Sequence, residues 1–292
     1  MASDNAARKV VYEAEAVEVL EDQDFHYLRS AIWRVAGITL SDSKKELVRS
    51  RLRSRVIELG LGGISDYRSH LQHLPSDHPE WQEFTNCLTT NKTDWFREPA
   101  HFEFLVNQFM PRWKGLTRKR PLRIWSAACS TGEEPYTLAM ILNDVIGKNR
   151  TGSYDILATD IDTEVLAKAQ RGIYPASALS QVPEQYHKPA FIAGTEGIEH
   201  LMKVQHSLKQ NVTFRQCNLT QTPYPWSGEF DVIFCRNVFI YFSKDVIAAV
   251  LDAFYRVAAS DAILFIGHSE SLQGISKWRY IGPSIYAKGN LL

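Results

Sequence analysis

From Leu122 to the C-terminus, short apolar runs alternate with stretches of helical spacing, and this alternation leaves few architectures open. LRIWSAA (122–128), YDILATDI (154–161), FDVIFCRN (230–237) and DAILFIGH (261–268) have the length and near-continuous apolar character of strands buried on both faces. EEPYTLAMILNDVIG (133–147), TEVLAKAQRG (163–172) and SKDVIAAVLDAFYRVA (243–258) carry helical periodicity between them. Pro135 falls in a first turn, where a missing N–H costs little, and Ser243 is a candidate helix cap. Strands alternating with helices predict a parallel α/β sheet covered on both faces. RYIGPSIYAK (279–288) predicts a closing hairpin around a Gly-Pro turn.

Upstream the texture is different. Positions 22–90 read as short helices with no strand pattern. FHYLRSAIWRVAG stops at Gly37, and SDSKKELVRSRLRSRVIELG begins with capping residues and ends at Gly60. SDYRSHLQHL and HPEWQEFTNCLTT predict two more helices. Positions 182–214 break the rhythm of the sheet with short alternating runs and a glycine-containing turn, which predicts a small β-rich insertion. The expected organisation is therefore a flexible tail (1–21), a helical domain (22–90), a linker with a connecting helix (91–120) and a sheet domain (121–292) interrupted at about 182–214.

Composition closes off several functions. Lys plus Arg number 33, as do Asp plus Glu, and the sequence pI is about 7.1, so no overall basic footprint for a polyanion exists. The 4 cysteines include no Cys-x-x-Cys pair, which argues against a zinc site or a disulfide framework. The N-terminus lacks a signal-peptide core, and no uncharged apolar run approaches the ~20 residues of a membrane span. A cytoplasmic protein is expected.

In an open parallel sheet, ligands bind at the carboxyl ends of the strands. WSAACSTGEEPY (125–136) joins the first strand to its helix there, with one glycine, Gly132. Neither a G-x-G-x-x-G run nor a P-loop is present, and Glu133 and Glu134 would repel phosphate. The second strand ends in ATDID (158–162), where Asp160 is placed to grip ribose hydroxyls and Asp162 to cap the next helix. FCRNVFIYF (234–242) brings Arg236, Asn237 and Tyr241 to the same edge, and QCNLT (216–220) adds Asn218. The set points to a nucleoside carrying no phosphate. A tight turn with ordinary helix-start acids remains the alternative for each segment taken alone.

NKTDWFRE (91–98), WSAACSTGEEPY, ATDIDTEVL, the CNL of QCNLT, FDVIFCRNVFIYF and GHSES (267–271) occur in this order. Together they resemble the chemotaxis receptor methyltransferase (CheR) family, over nearly the whole chain from about Phe25. The resemblance implies a Rossmann-like S-adenosylmethionine (SAM)-dependent methyltransferase sheet, a small all-α N-terminal domain and an inserted antiparallel β-subdomain. It implies transfer of the SAM methyl group to glutamate carboxylates of chemoreceptors, with S-adenosylhomocysteine as product, by a cytoplasmic monomer without metal. Asn91, Thr93, Arg97, Glu134, Asp160, Asn218, Leu219, Asn237 and Val238 match the cofactor-contacting positions, and Arg97 and Tyr241 fall near the methyl group. Trp95 and Phe96 are expected to pack structurally.

Such a transfer is an in-line displacement by a glutamate already ionised near neutrality, so a general base is unnecessary. Alignment is then the enzyme's main task. Lys44, Arg51 and Arg55 share one face of a helix, and the resemblance makes that face the contact for acidic receptor helices. Some family members hold a receptor peptide on the β-subdomain by strand addition, using glycines with nearby arginines. Here the corresponding loop, AGTEGIEH, has Gly194 and Gly197 but no neighbouring arginine. Competing readings are a SAM enzyme acting on nucleic acid, which lacks its usual Asn/Asp-Pro-Pro-Tyr/Phe motif here, a dehydrogenase, which lacks its glycines, and a non-catalytic adaptor.

Overall fold

The computed structural model describes residues 20–115, 120–149, 152–226 and 228–289. Of the expected tail, positions 1–19 lie outside the described residues. Two units are resolved: Met1–Thr90 with Tyr241–Ser243, and Asn91–Ile240 with Lys244–Leu292.

The first unit is helical. Helix α1 (Asp22–Ala36) ends where Gly37 turns left-handed, at φ 71°, and its N–H returns to the Trp33 carbonyl. A 3-10 turn (Asp42–Lys44) leads into α2 (Lys45–Glu58). The capping expected at the start of this run is absent: Ser41 Oγ makes no cap bond and meets Ser43 Oγ at 2.8 Å. Helices α3 (Ile64–Gln72) and α4 (Glu80–Leu88) complete the unit. Its core lies on the inward faces of these helices: Leu28, Ile32, Val48, Leu52, Val56, Leu71 and Phe84 are all fully buried.

The second unit begins with α5 (Pro99–Phe104), which continues through a π-turn (Leu105–Phe109) into α6 (Met110–Gly115). Then follow β1 (Leu122–Ser126), α7 (Glu133–Asn149), β2 (Tyr154–Asp160), α8 (Thr163–Arg171), β3 (Ile173–Pro175), β4 (Phe191–Ala193), β5 (Leu201–Val204), β6 (Val212–Gln216), β7 (Phe230–Cys235), α9 (Lys244–Val257), β8 (Ala258–Ile266), β9 (Arg279–Gly282) and β10 (Ile285–Ala287). The main sheet has the order β6-β2-β1-β7-β8-β10-β9. Its first five strands are parallel, and the β9–β10 hairpin adds antiparallel to β8. Every residue of β7 is buried, as a strand covered on both faces requires. Trp125 sits fully buried against Tyr224 and Phe254, at 4.9 and 5.0 Å between rings, and Phe234 stacks on Phe265 at 4.4 Å.

A separate antiparallel sheet, β3-β5-β4, forms the insertion. Its bounds differ from the expected 182–214. It starts at Ile173, and Val212–Gln216 belongs instead to the main sheet, paired in parallel with β2. An edge strand with one face in solvent shows the same alternation as an inserted hairpin, so the pattern alone does not separate them. Among the described residues no helix is long and apolar enough to cross a membrane.

Candidate active site

Strand β1 lies between β2 and β7, so its carboxyl end is where the chain's connections diverge to either side, the position at which such sheets bind ligands. The loop leaving it closes on Gly132, at φ 100°. A Cβ there would meet Tyr174 Oη at 2.8 Å and Ala169 Cβ at 2.9 Å, so only glycine fits. In the first turn of α7, Glu134 is buried, and both carboxylate oxygens are held: Ser126 Oγ donates to Oε1 at 2.7 Å and Arg236 Nε to Oε2 at 2.6 Å.

At the end of β2, Asp160 accepts the Ser130 N–H on Oδ2 at 2.8 Å and the Asp162 N–H on Oδ1 at 3.1 Å. The Gly132 and Asp160 loops therefore share one site. Burial pushes the Asp160 carboxyl up to about 6, against the opposing pull of these N–H donors. Asp162 caps α8, accepting from Glu164 and Val165 N–H, and its other oxygen accepts Asn91 Nδ2 at 2.6 Å. The Asn91 carbonyl in turn accepts Ser130 Oγ at 2.8 Å. The NKTDWFRE segment is thus stitched to both loops.

Within that segment Trp95 and Phe96 pack as expected. Trp95 is buried edge-on against Tyr174 and Phe191, and Phe96 stacks on Tyr186. Thr93 and Arg97 are half-buried, and Arg97 Nη1 donates to the Lys92 carbonyl at 3.0 Å. Phe96 and Glu98, on either side of Arg97, are both left-handed, at φ 52° and 56°.

The ends of β6 and β7 complete the edge. Cys217 N–H bonds the Asp160 carbonyl, which ties the CNL loop to β2. Asn218 Oδ1 accepts the Thr220 N–H and hydroxyl, and Leu219 is buried, its carbonyl accepting Tyr224 Oη. Asn237 is left-handed at φ 61°, and Val238 beside it is half-buried. Three carboxyl-edge residues, Cys129, Cys217 and Cys235, have buried thiols, and among the described residues no disulfide joins the cysteines.

Sequence reasoning assigned no role to Glu98, Glu270 or Ser126 and named Arg236 only as a polar edge residue. Glu270, from GHSES, is buried and accepts the N–H groups of Asn237, Gly267 and Ile240; burial raises its carboxyl above the ordinary range. A charged residue inside a quoted motif was the available signal. Glu98, His101 and His268 bring three possible metal-ligand atoms within 4.8 Å of one another. Arg236 Nη1 lies 3.4 Å from both Glu98 Oε2 and His101 Nδ1, so a guanidinium already provides positive charge there. Burial, then the Arg236 charge, push the His101 imidazolium down to about 4.

The helical-unit residues behave differently. Tyr241 groups with that unit, and its carbonyl accepts the Thr39 N–H at 2.8 Å. Lys44 is exposed. Arg51 and Arg55, expected to present a solvent-facing basic face, are half-buried and committed internally. Arg51 Nη1 caps the end of α4 through the Leu88 and Thr89 carbonyls, at 2.7 and 2.6 Å. Arg55 pairs with buried Glu80, which also accepts Tyr67 Oη at 2.7 Å. Val48, Leu52 and Val56 are buried as the helical period requires, but Lys44 lies in the 3-10 turn ahead of α2 and not on the helix. Arg51 and Arg55 sit at the margin of the buried stripe, where a long side chain turns inward.

Two buried carboxylates, fixed by N–H, O–H and guanidinium donors and free of any phosphate-binding glycine loop, suit a ligand that brings an ammonium group and ribose hydroxyls. SAM has that donor set. The model of the CheR methyltransferase SAM-binding domain matches residues 91–284, and that of the CheR methyltransferase all-alpha domain matches 23–89. The chain is 41% identical over 281 residues to chemotaxis protein methyltransferase 2 of Pseudomonas aeruginosa, covering 92% of this chain and 96% of the relative. It is 40% identical over 269 residues to the chemotaxis protein methyltransferase of Salmonella typhimurium, covering 92% and 91%. Carboxyl-edge geometry, two matched domains and near-complete alignment with these relatives lead to one assignment: this chain belongs to the CheR methyltransferase family and is a SAM-dependent methyltransferase.

Proposed function

We propose that the chain methylates glutamate side chains on the cytoplasmic domains of chemoreceptors, forming glutamyl methyl esters, and that it acts as a cytoplasmic monomer. The observation that carries this reading is the pair of buried carboxylates, Glu134 and Asp160, held on one sheet edge beside the segment bearing Arg97.

Bound SAM supplies an electrophilic methyl carbon on a sulfonium centre. Asp160 accepts the ribose hydroxyls and Glu134 accepts the ammonium group. Asn218, Leu219, Asn237 and Val238 frame the adenine, and Asn91 and Thr93 close the segment over the ligand. The acceptor carboxylate, with an ordinary pKa of about 4.3, arrives ionised, so no side chain has to remove a proton. Arg97 orients it. Its grip must be loose, because the negative charge disappears as the ester forms and a strong ground-state ion pair would raise the barrier. Tyr241 is the second candidate for orienting the acceptor, by its place in FCRNVFIYF. Lys44 is the exposed basic residue offered to acidic receptor helices.

Radiolabelled SAM incubated with the enzyme and purified receptor should give base-labile label on the receptor and none on DNA. Label on DNA would replace this reading with a nucleic-acid methyltransferase, and no label on either would leave an adaptor. Arg97→Ala and Tyr241→Phe should each lower kcat.

A further inference from the structure

We propose that Arg236 is a positioning residue that joins the cofactor end of the site to the acceptor end: it fixes the carboxylate of Glu134 and holds the strained turn that aims Arg97. The proposal rests on the roles given above to Glu134 and Arg97.

Arg236 follows β7 directly and is 7% exposed. A guanidinium taken out of water is tolerated only when its donors find partners. Here the partners belong to different parts of the chain. Nε donates to Glu134 Oε2 at 2.6 Å, and Nη1 donates to the Arg97 carbonyl at 2.6 Å and faces Glu98 Oε2 at 3.4 Å. The planar group lies over the rings of Phe102 and Phe234, at 5.3 and 5.7 Å. A flat, rigid fork can reach acceptors on two sides at once, whereas an ammonium on a flexible stem cannot reproduce that geometry.

The turn it holds is one that side chains resist. Left-handed backbone at both Phe96 and Glu98 persists only where the surroundings over-determine it. Three supports do so: the Phe96 N–H on Thr137 Oγ1 at 3.3 Å, Arg236 on the Arg97 carbonyl, and the Glu98 carboxylate under the His268 N–H at 3.2 Å and Asn237 Nδ2 at 3.4 Å. The base of the Arg97 side chain is thereby fixed in space. At the other end, Ser126 and Arg236 each occupy one oxygen of Glu134 and set the plane of the carboxylate, leaving further lone pairs for a ligand. Among the described hydrogen bonds, Arg236 alone links Glu134 to the Arg97 turn directly.

The test is a double-mutant cycle on the full chain with Arg236→Lys and Arg97→Ala, measuring kcat, KM for SAM, S-adenosylhomocysteine affinity and the thermal midpoint. Arg236→Lys should lower kcat by about tenfold or more and weaken product binding severalfold in a folded protein. In the Arg97→Ala background the same change should lower kcat by less than about threefold, because the residue it positions is gone. Independent, multiplicative losses in kcat overturn the proposal and leave the role of Arg97 intact. Wild-type turnover in Arg97→Ala overturns both. Should Arg236→Lys not fold, Glu98→Ala removes a second support of the turn, the acceptor of the His268 N–H and Asn237 Nδ2, and is judged by the same cycle.

Discussion

At the scale of single residues, Asp160 makes the sharpest prediction. Its carboxyl titrates at about 6 in the folded protein because it is buried, well above an ordinary aspartate. The folded apo chain therefore takes up a proton that the unfolded chain does not, in the window from about 6 down to about 4. This contribution favours folding at low pH and is lost as pH rises through about 6. Cofactor binding has the opposite sign, since ribose hydroxyls need an ionised acceptor. Product affinity, followed by calorimetry, should decline as pH falls below about 6, approaching tenfold per unit, and Asp160→Asn should flatten that profile. The place of Asp160 and Glu134 at the sheet edge and the cap made by Asp162 were legible in the sequence, because strand ends and helix starts mark those positions. Arg236 and Glu98 were not. Their meaning comes from each other across 138 positions, and no local pattern records such a pairing.

At the scale of elements, α2 is both an amphipathic helix and a clamp on α4. Removing Arg55 leaves the buried Glu80 carboxylate with a phenol as its neutral partner. Arg55→Ala should cost about 3 kcal/mol in urea unfolding, and Glu80→Gln in the same background should recover part of it. Arg51→Glu should likewise fray the end of α4. Charge reversal at these two positions consequently reads folding together with receptor contact. Burial along α2 followed the helical period, since Val48, Leu52 and Val56 line the core. What the period omits is how far a guanidinium can bend back from the rim of that stripe. The same limit explains β6: alternation announces a strand with one wet face but not which sheet it joins.

At the scale of the whole molecule, the α/β architecture, the all-α part and the presence of a small β-rich insertion were readable from texture alone, and its antiparallel form followed from the family resemblance. The strand order was not, because partners are set by the handedness of crossovers and not by the composition of any strand. Two tasks in two units should be separable. Lys44→Glu should lower receptor methylation most at low ionic strength and leave S-adenosylhomocysteine affinity unchanged, whereas Asp160→Ala should abolish product binding at every salt concentration. The thiols have a consequence of their own. Cys129, Cys217 and Cys235 each precede a residue of the sheet edge, and burial pushes Cys217 up to about 12 and holds the other two well above the ordinary thiol range. Alkylation and peroxide attack both need thiolate, which these surroundings suppress. Iodoacetamide or mild oxidant applied to the native protein should therefore leave all three unmodified by mass spectrometry, with any label confined to the half-buried Cys87.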